Sequence, residues 1–115
     1  MAVKQDGASS DQPLRNYLAV LDDTDRRTVV SILAEEDAPV SLSLLAESVA
    51  AETRNVSLDG PSRSERERLK IKLHHSHLPK LDEAGVLEYS PEDRLAVPTE
   101  ETSSARRAVE TLTDI

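Results

Sequence analysis

The chain has 115 residues, a net charge of −8 from 22 acidic and 14 basic residues, and no cysteine. These values predict one domain with a modest core, and they exclude disulfides, thiol catalysis and thiolate metal sites. No apolar run approaches the roughly 18 residues of a membrane span, so we expect a cytoplasmic protein without a membrane partner.

The charged residues have a biased composition. Ten of the basic residues are arginine and four are lysine, while phenylalanine, tryptophan and cysteine are absent. Dense carboxylates keep a protein hydrated in concentrated salt, where screening weakens their mutual repulsion. We interpret this composition as adaptation to a cytoplasm of high salt, and an ordinary acidic protein that avoids nucleic acid is the open alternative.

The N-terminal part divides into a tail and a first helix. Residues 1–11 are polar and without periodicity, which predicts a disordered tail. A helix is predicted from near Pro13, because proline suits the first helical position and apolar residues recur at i, i+3, i+4 and i+7. The apolar stripe of this helix consists of Leu14, Tyr17, Leu18 and Leu21.

Two further helices are predicted before the middle of the chain. The second runs roughly from Asp25 to Glu36, and Pro39 breaks the pattern after it. Val40 is expected to add a short edge strand to a later hairpin. Ser41 fits the cap of a third helix that continues to about Thr53.

A long helix followed by a hairpin is predicted next. Either Ser62 or Ser64 can cap its start, because Ser62 with Glu65 and Ser64 with Glu67 are each spaced as a capping box. Gly85 fits the left-handed position after the helix. Apolar runs at 86–89 and 95–97 flank turn-favouring residues, which indicates a β-hairpin. This order predicts a mainly α fold with a small β-hairpin, a winged helix-turn-helix over 12–98.

The two faces of the long helix differ in character. At about 100° per residue, one half is apolar and the other carries cations and hydrogen-bonding groups. The predicted apolar half consists of Leu69, Ile71, Leu73, Leu78, Leu81 and Ala84. Residues 62–80 have a charge of +4, against −12 for the remainder. Such a segment is typical of a nucleic-acid contact, and a solvated helix face is the alternative.

We predict double-stranded DNA as the partner of this face. The cations are expected to contact phosphates, while His75 and Ser76 lie nearest the base edges. The predicted DNA-binding residues are Arg63, Arg66, Arg68, Lys72, His75, Ser76, Lys80 and Arg94.

Neither a metal site nor a catalytic site is predicted. His74 and His77 are spaced to reach one ion, but no Cys, Asp or Glu stands nearby at ligand spacing. We therefore interpret the histidines as structural or DNA-contacting residues and expect no cofactor. The chain also lacks a glycine-rich phosphate loop and a convincing nucleophile–base pair, so we expect that it is not an enzyme.

Residues 99–115 are predicted to form a last helix and a dimerisation element. Thr102, Ser103 or Ser104 is expected to cap it, and its apolar stripe consists of Ala105, Val109 and Leu112. Pairing this stripe and that of the first helix across a two-fold axis would bury both in a homodimer. The alternative is that the two terminal helices cover each other in a monomer.

The segment SHLPKLDEAGVLEY (Ser76–Tyr89) resembles the end of the recognition helix and the start of the wing in ArsR-type regulators. Residues 21–33 resemble their opening helix, and the chain from Leu14 to Pro98 is similar to small haloarchaeal winged-helix proteins. The resemblance implies a dimeric DNA-binding transcriptional regulator. It does not extend to metal sensing, since those proteins often use cysteines. The alternative is a winged-helix module that binds an acidic protein partner without sequence-specific DNA binding.

Overall fold

The computed structural model describes residues 19–54 and 61–114, with side chains up to Thr111. The elements are α1 (Thr24–Leu33), β1 (Val40–Ser41), α2 (Leu42–Thr53), α3 (Arg63–Lys72), a π-helical turn (Leu73–His77), α4 (Leu78–Glu83), β2 (Leu87–Ser90), β3 (Leu95–Pro98) and α5 (Glu100–Asp114). The strands form an antiparallel sheet in the order β1-β3-β2. This confirms a mainly helical fold with a small sheet in a winged helix-turn-helix arrangement. The predicted tail and the predicted start of the first helix lie outside the described residues.

The first two helices begin at side-chain caps. The Asp23 carboxylate accepts hydrogen bonds from the backbone N–H groups of Asp25 and Arg26, at 2.9 and 3.1 Å, so α1 begins at Thr24. This helix ends three residues earlier than predicted, because its last turn tightens into i→i−3 bonds from Glu35 and Glu36.

The starts of α2 and β1 agree with the predictions. The Ser41 hydroxyl accepts a hydrogen bond from the backbone N–H of Leu44 at 3.1 Å, so Ser41 caps α2 as predicted. The predicted edge strand at Val40 is confirmed by its pairing with Ala96 of β3.

The helix formed by α3, the π-helical turn and α4 is termed the recognition helix (Arg63–Glu83). Of the two predicted capping boxes, the one of Ser62 is confirmed, since Ser62 Oγ accepts the Glu65 N–H at 3.1 Å and Glu65 Oε1 accepts the Ser62 N–H at 2.8 Å. At its end Gly85 has φ +80°, and its N–H donates to the carbonyl of Asp82. The N–H of Val86 donates to the carbonyl of Leu81, which completes a Schellman motif.

The core face of the recognition helix consists of fully buried leucines. They are Leu69, Leu73, Leu78 and Leu81. The placement of Ile71 on this face was wrong, because its side chain is 59% exposed. Ile71 lies two residues from both Leu69 and Leu73, which is about 200° around the helix and therefore on the opposite side.

The π-helical turn has a cause in the sequence. Pro79 has no N–H to donate to the carbonyl of His75, and its ring would collide with that carbonyl in a regular α-helix. The wider turn makes room for the ring, and the N–H of Leu78 donates instead to the carbonyl of Leu73, five residues back.

The C-terminal helix α5 packs against α1 within one chain. The cap residue is Thr99, whose hydroxyl accepts the N–H of Glu101 at 3.1 Å, and not the predicted Thr102, Ser103 or Ser104. Thr102 still takes part in the cap, because its hydroxyl accepts the Thr99 N–H at 2.8 Å. Thr102 is buried, and the same hydroxyl donates to the Val86 carbonyl at 2.6 Å.

This packing corrects the predicted dimer interface. Leu21 and Ala105 are fully buried, and Val109 is 8% exposed, all within the single chain. The expectation that these three side chains stay exposed for a partner was wrong, and two of them, Ala105 and Val109, lie on α5, which packs against α1. The side chains of Leu14, Tyr17, Leu18 and Leu112 lie outside the described residues.

Candidate nucleic-acid interface

The recognition helix exposes a row of polar and cationic side chains opposite its leucine face. The exposed members of the predicted set are Arg63, Arg68, Lys72, His75, Lys80 and, on the hairpin turn, Arg94. Arg63 and Lys80 are about 25 Å apart along the helix axis at 1.5 Å per residue. The exposed positive charge therefore extends along nearly the whole helix.

Two grooves flank the recognition helix and meet at His75. The first, termed the α3 groove, has a volume of about 230 Å³ and is lined by Leu42, Glu67, Lys70, Ile71, His74, His75 and Arg94. The second, termed the α4 groove, has a volume of about 340 Å³ and is lined by His75, Ser76, Pro79, Lys80, Asp82, Glu83, Tyr89 and Pro91. His75 and the half-buried Ser76 thus stand where the helix meets the hairpin.

The remaining predicted cations occupy separate places. Arg63, Arg68 and Lys72 are exposed but line neither groove. Arg66 is half-buried, and its Nη1 atom donates to the carbonyl oxygen of Pro61 at 2.8 Å. It lies beside Glu47 of α2, so the structure separates Arg66 from the other predicted contacts.

The hairpin is attached to the recognition helix by His74. Its Nδ1 atom lies 2.6 Å from the Tyr89 hydroxyl, and the Asp82 carboxylate accepts the Tyr89 N–H at 2.8 Å. Partial burial lowers the pKa of His74, with further lowering by His75 and Arg94, and burial raises the pKa of Tyr89. Both rings therefore favour their neutral forms, which suits a hydrogen bond between them.

Arg94 occupies a strained backbone position on the hairpin turn. Its φ of +57° lies in the left-handed region, which costs a residue other than glycine roughly 1–2 kcal/mol. Two hydrogen bonds hold it there, from its own N–H to the Ser90 carbonyl at 2.7 Å and from the Leu42 N–H to its carbonyl at 2.9 Å. Strain of this kind is a signal of function when the side chain is exposed toward a groove.

A buried polar network lies on the opposite side of the recognition helix. The His77 side chain is 2% exposed, and its Nδ1 atom lies 3.1 Å from Nη1 of Arg26. Its Nε2 atom lies 3.9 Å from both Asp23 Oδ1 and Asp25 Oδ2, without a hydrogen bond. Arg54 donates to both oxygens of Asp25 at 3.0 Å.

This network contains Asp23, Asp25 and His77 close enough together to suggest a metal site. The sequence places no carboxylate at ligand spacing from His77, but residues some 50 positions earlier in the chain fold against it. However, the guanidinium of Arg26 only donates hydrogen bonds, so Nδ1 of His77 accepts and Nε2 carries the proton. An Nε2–H has no lone pair for a metal, and the cationic guanidinium groups of Arg54 and Arg26 beside the site repel a metal ion. The donor set therefore fits a structural network and not a metal.

Electrostatics in the network favour a neutral histidine. Burial lowers the pKa of His77, Arg26 and Lys72 lower it further, and Asp23 and Asp25 oppose the change. The sequence contained one unused signal for this site. His77 follows Leu69 and Leu73 at four-residue spacing, and that spacing places it on the core face.

Residues 18–97 match a family model described as a domain of unknown function, DUF7344. The chain belongs to this family. The DUF7344 range contains both grooves and the whole His77 network, and it ends before α5 begins. No curated protein and no solved structure matches the chain. Within the described part of this DUF7344 protein, no helix is both long and apolar enough to cross a membrane.

Proposed function

We propose that this protein is a DNA-binding transcriptional regulator that places its recognition helix in the major groove and its hairpin beside it. The observation that supports this proposal is the row of exposed cations along one helix of an otherwise acidic chain. Their positions on the recognition helix of a winged fold suit phosphates on either side of a groove. The resemblance to ArsR-type regulators supports the same function.

The proposal gives the exposed residues different roles. Arg68, Lys72 and Lys80 contact phosphates, and Arg94 contacts a phosphate adjacent to the hairpin. His75 and Ser76 lie closest to base edges, because they stand where the two grooves meet. At molar salt the release of counterions contributes little to affinity, so base contacts and shape contribute more than they do in dilute buffer.

A homodimer is part of the proposal. Two recognition helices related by a two-fold axis reach successive major grooves about 34–36 Å apart. Leu21, Ala105 and Val109 are buried within one chain, so we assign the dimer contacts to the other predicted members, Leu14, Tyr17, Leu18 and Leu112.

The test is a fluorescence-anisotropy titration in molar KCl against labelled duplex fragments from the protein's own locus, followed by footprinting. We expect saturable binding to one fragment, with a discrete protected region. Lys72→Ala should weaken this binding. Arg107→Ala is the matched control, because it removes the same charge from an exposed position on α5, which lines neither groove.

A second candidate is a module that binds another protein. Two large apolar side chains, Leu44 and Ile71, are 54% and 59% exposed, which is compatible with a protein contact. Equal and weak binding to every DNA fragment, unaffected by Lys72→Ala, would reject the regulator and favour this module.

A further inference from the structure

Ile71 is an apolar side chain in the middle of a charged face. It is 59% exposed and lines the α3 groove together with Lys70, His75 and Arg94. Ile71 and His75 are four residues apart, although the helix widens between them. Their common groove shows that both side chains reach the same surface.

The α3 groove has charged and apolar parts. Lys70 and Arg94 line it and suit phosphates, whereas Arg68 and Lys72 lie outside it. An isoleucine gains nothing from contact with a phosphate, and the Glu67 carboxylate in the same groove repels one. Ile71, which shares this groove with His75, therefore suits the uncharged edge of a base pair.

Only one group in the major groove of ordinary DNA is apolar, the 5-methyl group of thymine. We propose that Ile71 contacts a thymine 5-methyl group and thereby makes thymine the preferred base at one position of each half-site. The inference rests on the proposed function and names what one residue of that interface recognises. It also explains why an isoleucine stays in water on the free protein.

The decisive comparison is between thymine and uracil, which differ only by this methyl group. A pool of random-sequence duplexes is selected for binding to the wild-type protein in molar KCl. The tightest duplex is then resynthesised with deoxyuridine in place of each thymidine in turn. At one position per half-site, we expect about fourfold weaker binding, which corresponds to one buried carbon group.

Variants assign this methyl preference to one side chain. Ile71→Ala should bind the thymine and uracil duplexes equally, with an affinity close to that of wild type for uracil. Ile71→Val, which keeps an apolar branched side chain, should retain part of the preference. Leu44→Ala is the control, because it removes an equally exposed apolar side chain that lines neither groove, and it should retain the full preference.

The outcomes separate this inference from the proposed function. Specific binding by the wild type with equal affinity for thymine and uracil at every position would overturn the role of Ile71 and leave the regulator standing. A preference for thymine over uracil that is undiminished in Ile71→Ala would also overturn the role of Ile71 and leave the regulator standing. Failure to enrich any duplex would overturn the regulator itself, and this inference with it.

Discussion

The Nη1 atom of Arg26 lies 3.1 Å from the Nδ1 atom of the buried His77, and this contact joins α1 to the recognition helix across 51 residues of sequence. Because a guanidinium has no acceptor, the contact requires an unprotonated Nδ1. Protonation of the ring would place two donors against each other at a buried position. The attachment of the recognition helix is therefore sensitive to acid.

The first prediction concerns stability below neutral pH. The folded pKa of His77 lies below its ordinary value of 6.5, so the unfolded chain binds the proton more tightly. The neutral His77 ring makes its full contribution to stability above about pH 6.5, and this contribution is lost as pH falls through the pKa of His77 in the folded protein. Urea unfolding between pH 8 and pH 5 should therefore give midpoints that decrease with acid.

A variant pair tests the assignment to His77. His77→Asn keeps an acceptor for Arg26 but cannot titrate, so its midpoint should change less over the same range. His75→Asn, at an exposed position, should follow the wild type. An unchanged pH profile in His77→Asn would contradict the assignment.

A second loss of stability is expected in stronger acid. Burial raises the pKa of Asp23. This effect is outweighed by hydrogen bonds from the backbone N–H groups of Arg26 and Asp25 and by the charges of His77 and Arg26. The pKa of Asp23 in the folded protein therefore lies below 3.8. This contribution is present above pH 3.8 and is lost as pH falls through the folded value. Asp23→Asn should remove the decrease of the urea midpoint in strong acid and keep the decrease between pH 8 and pH 5.

The third prediction separates strain from charge at Arg94. Arg94→Gly removes the left-handed cost of roughly 1 kcal/mol, partly offset by the greater freedom of glycine in the unfolded chain. We expect unchanged or slightly higher stability in urea together with weaker DNA binding. Arg94→Ala, which also removes the charge, should weaken binding and keep the strain. Lower stability of Arg94→Gly than of Arg94→Ala would show that the positive φ carries no cost.

The fourth prediction separates phosphate contacts from base contacts. Lys72→Ala should weaken binding to all duplexes alike and reduce the dependence of affinity on salt, because one phosphate contact is lost. Ser76→Ala should change the preferred sequence more than the baseline affinity. Equal loss of specificity in both variants would contradict this division.

The fifth prediction tests the two faces of the recognition helix. Leu81 is fully buried, so Leu81→Ala should lower the free energy of unfolding by about 2–5 kcal/mol. Ile71→Ala, at an exposed position on the other face, should lower it by less than about 0.5 kcal/mol. Comparable losses in urea unfolding would show that the faces are wrongly assigned.

Removal of the C-terminal helix provides a further test of the fold. Deleting residues 102–115 removes most of the helix that packs against α1 and the hydrogen bond from Thr102 to Val86, so we expect a large loss of stability. Light scattering of the full chain in molar KCl should report a dimer, and Tyr17→Glu should dissociate it without unfolding. A full-length protein that is monomeric at micromolar concentration would reject the dimer.

Local signals in the sequence predicted much of this fold. The capping box at Ser62 and the Gly85 helix end each depend on neighbours within a few residues or on one backbone preference. The edge strand at Val40 was also predicted, although it pairs with the distant Ala96. Ile71 was misplaced because a broad apolar half was assumed where the buried leucines define a narrower face. Pro79 was a signal for the π-helical turn. It was missed because it changes the number of residues in one turn and does not end the helix.

Contacts between distant residues escaped prediction. The arrangement of His77 with Asp23, Asp25 and Arg54 depends on how three helices pack, and no local pattern encodes it. The packing of Ala105 and Val109 against their own chain was likewise not predictable, because an apolar stripe on α5 can cover a partner subunit as well as α1. The expected grouping of cations on the recognition helix was visible from spacing alone, whereas the separation of Arg66 required its hydrogen bond to Pro61.

The π-helical turn at Leu73–His77 also has a consequence for comparing sequences. Such a turn behaves as a single-residue insertion in an α-helix. Relatives without a proline at the position of Pro79 are expected to be one residue shorter here, with a one-residue gap in a correct alignment. An ungapped alignment would rotate every pair of aligned residues by about 100° around the helix from this point to its end, and would take the leucine face out of register.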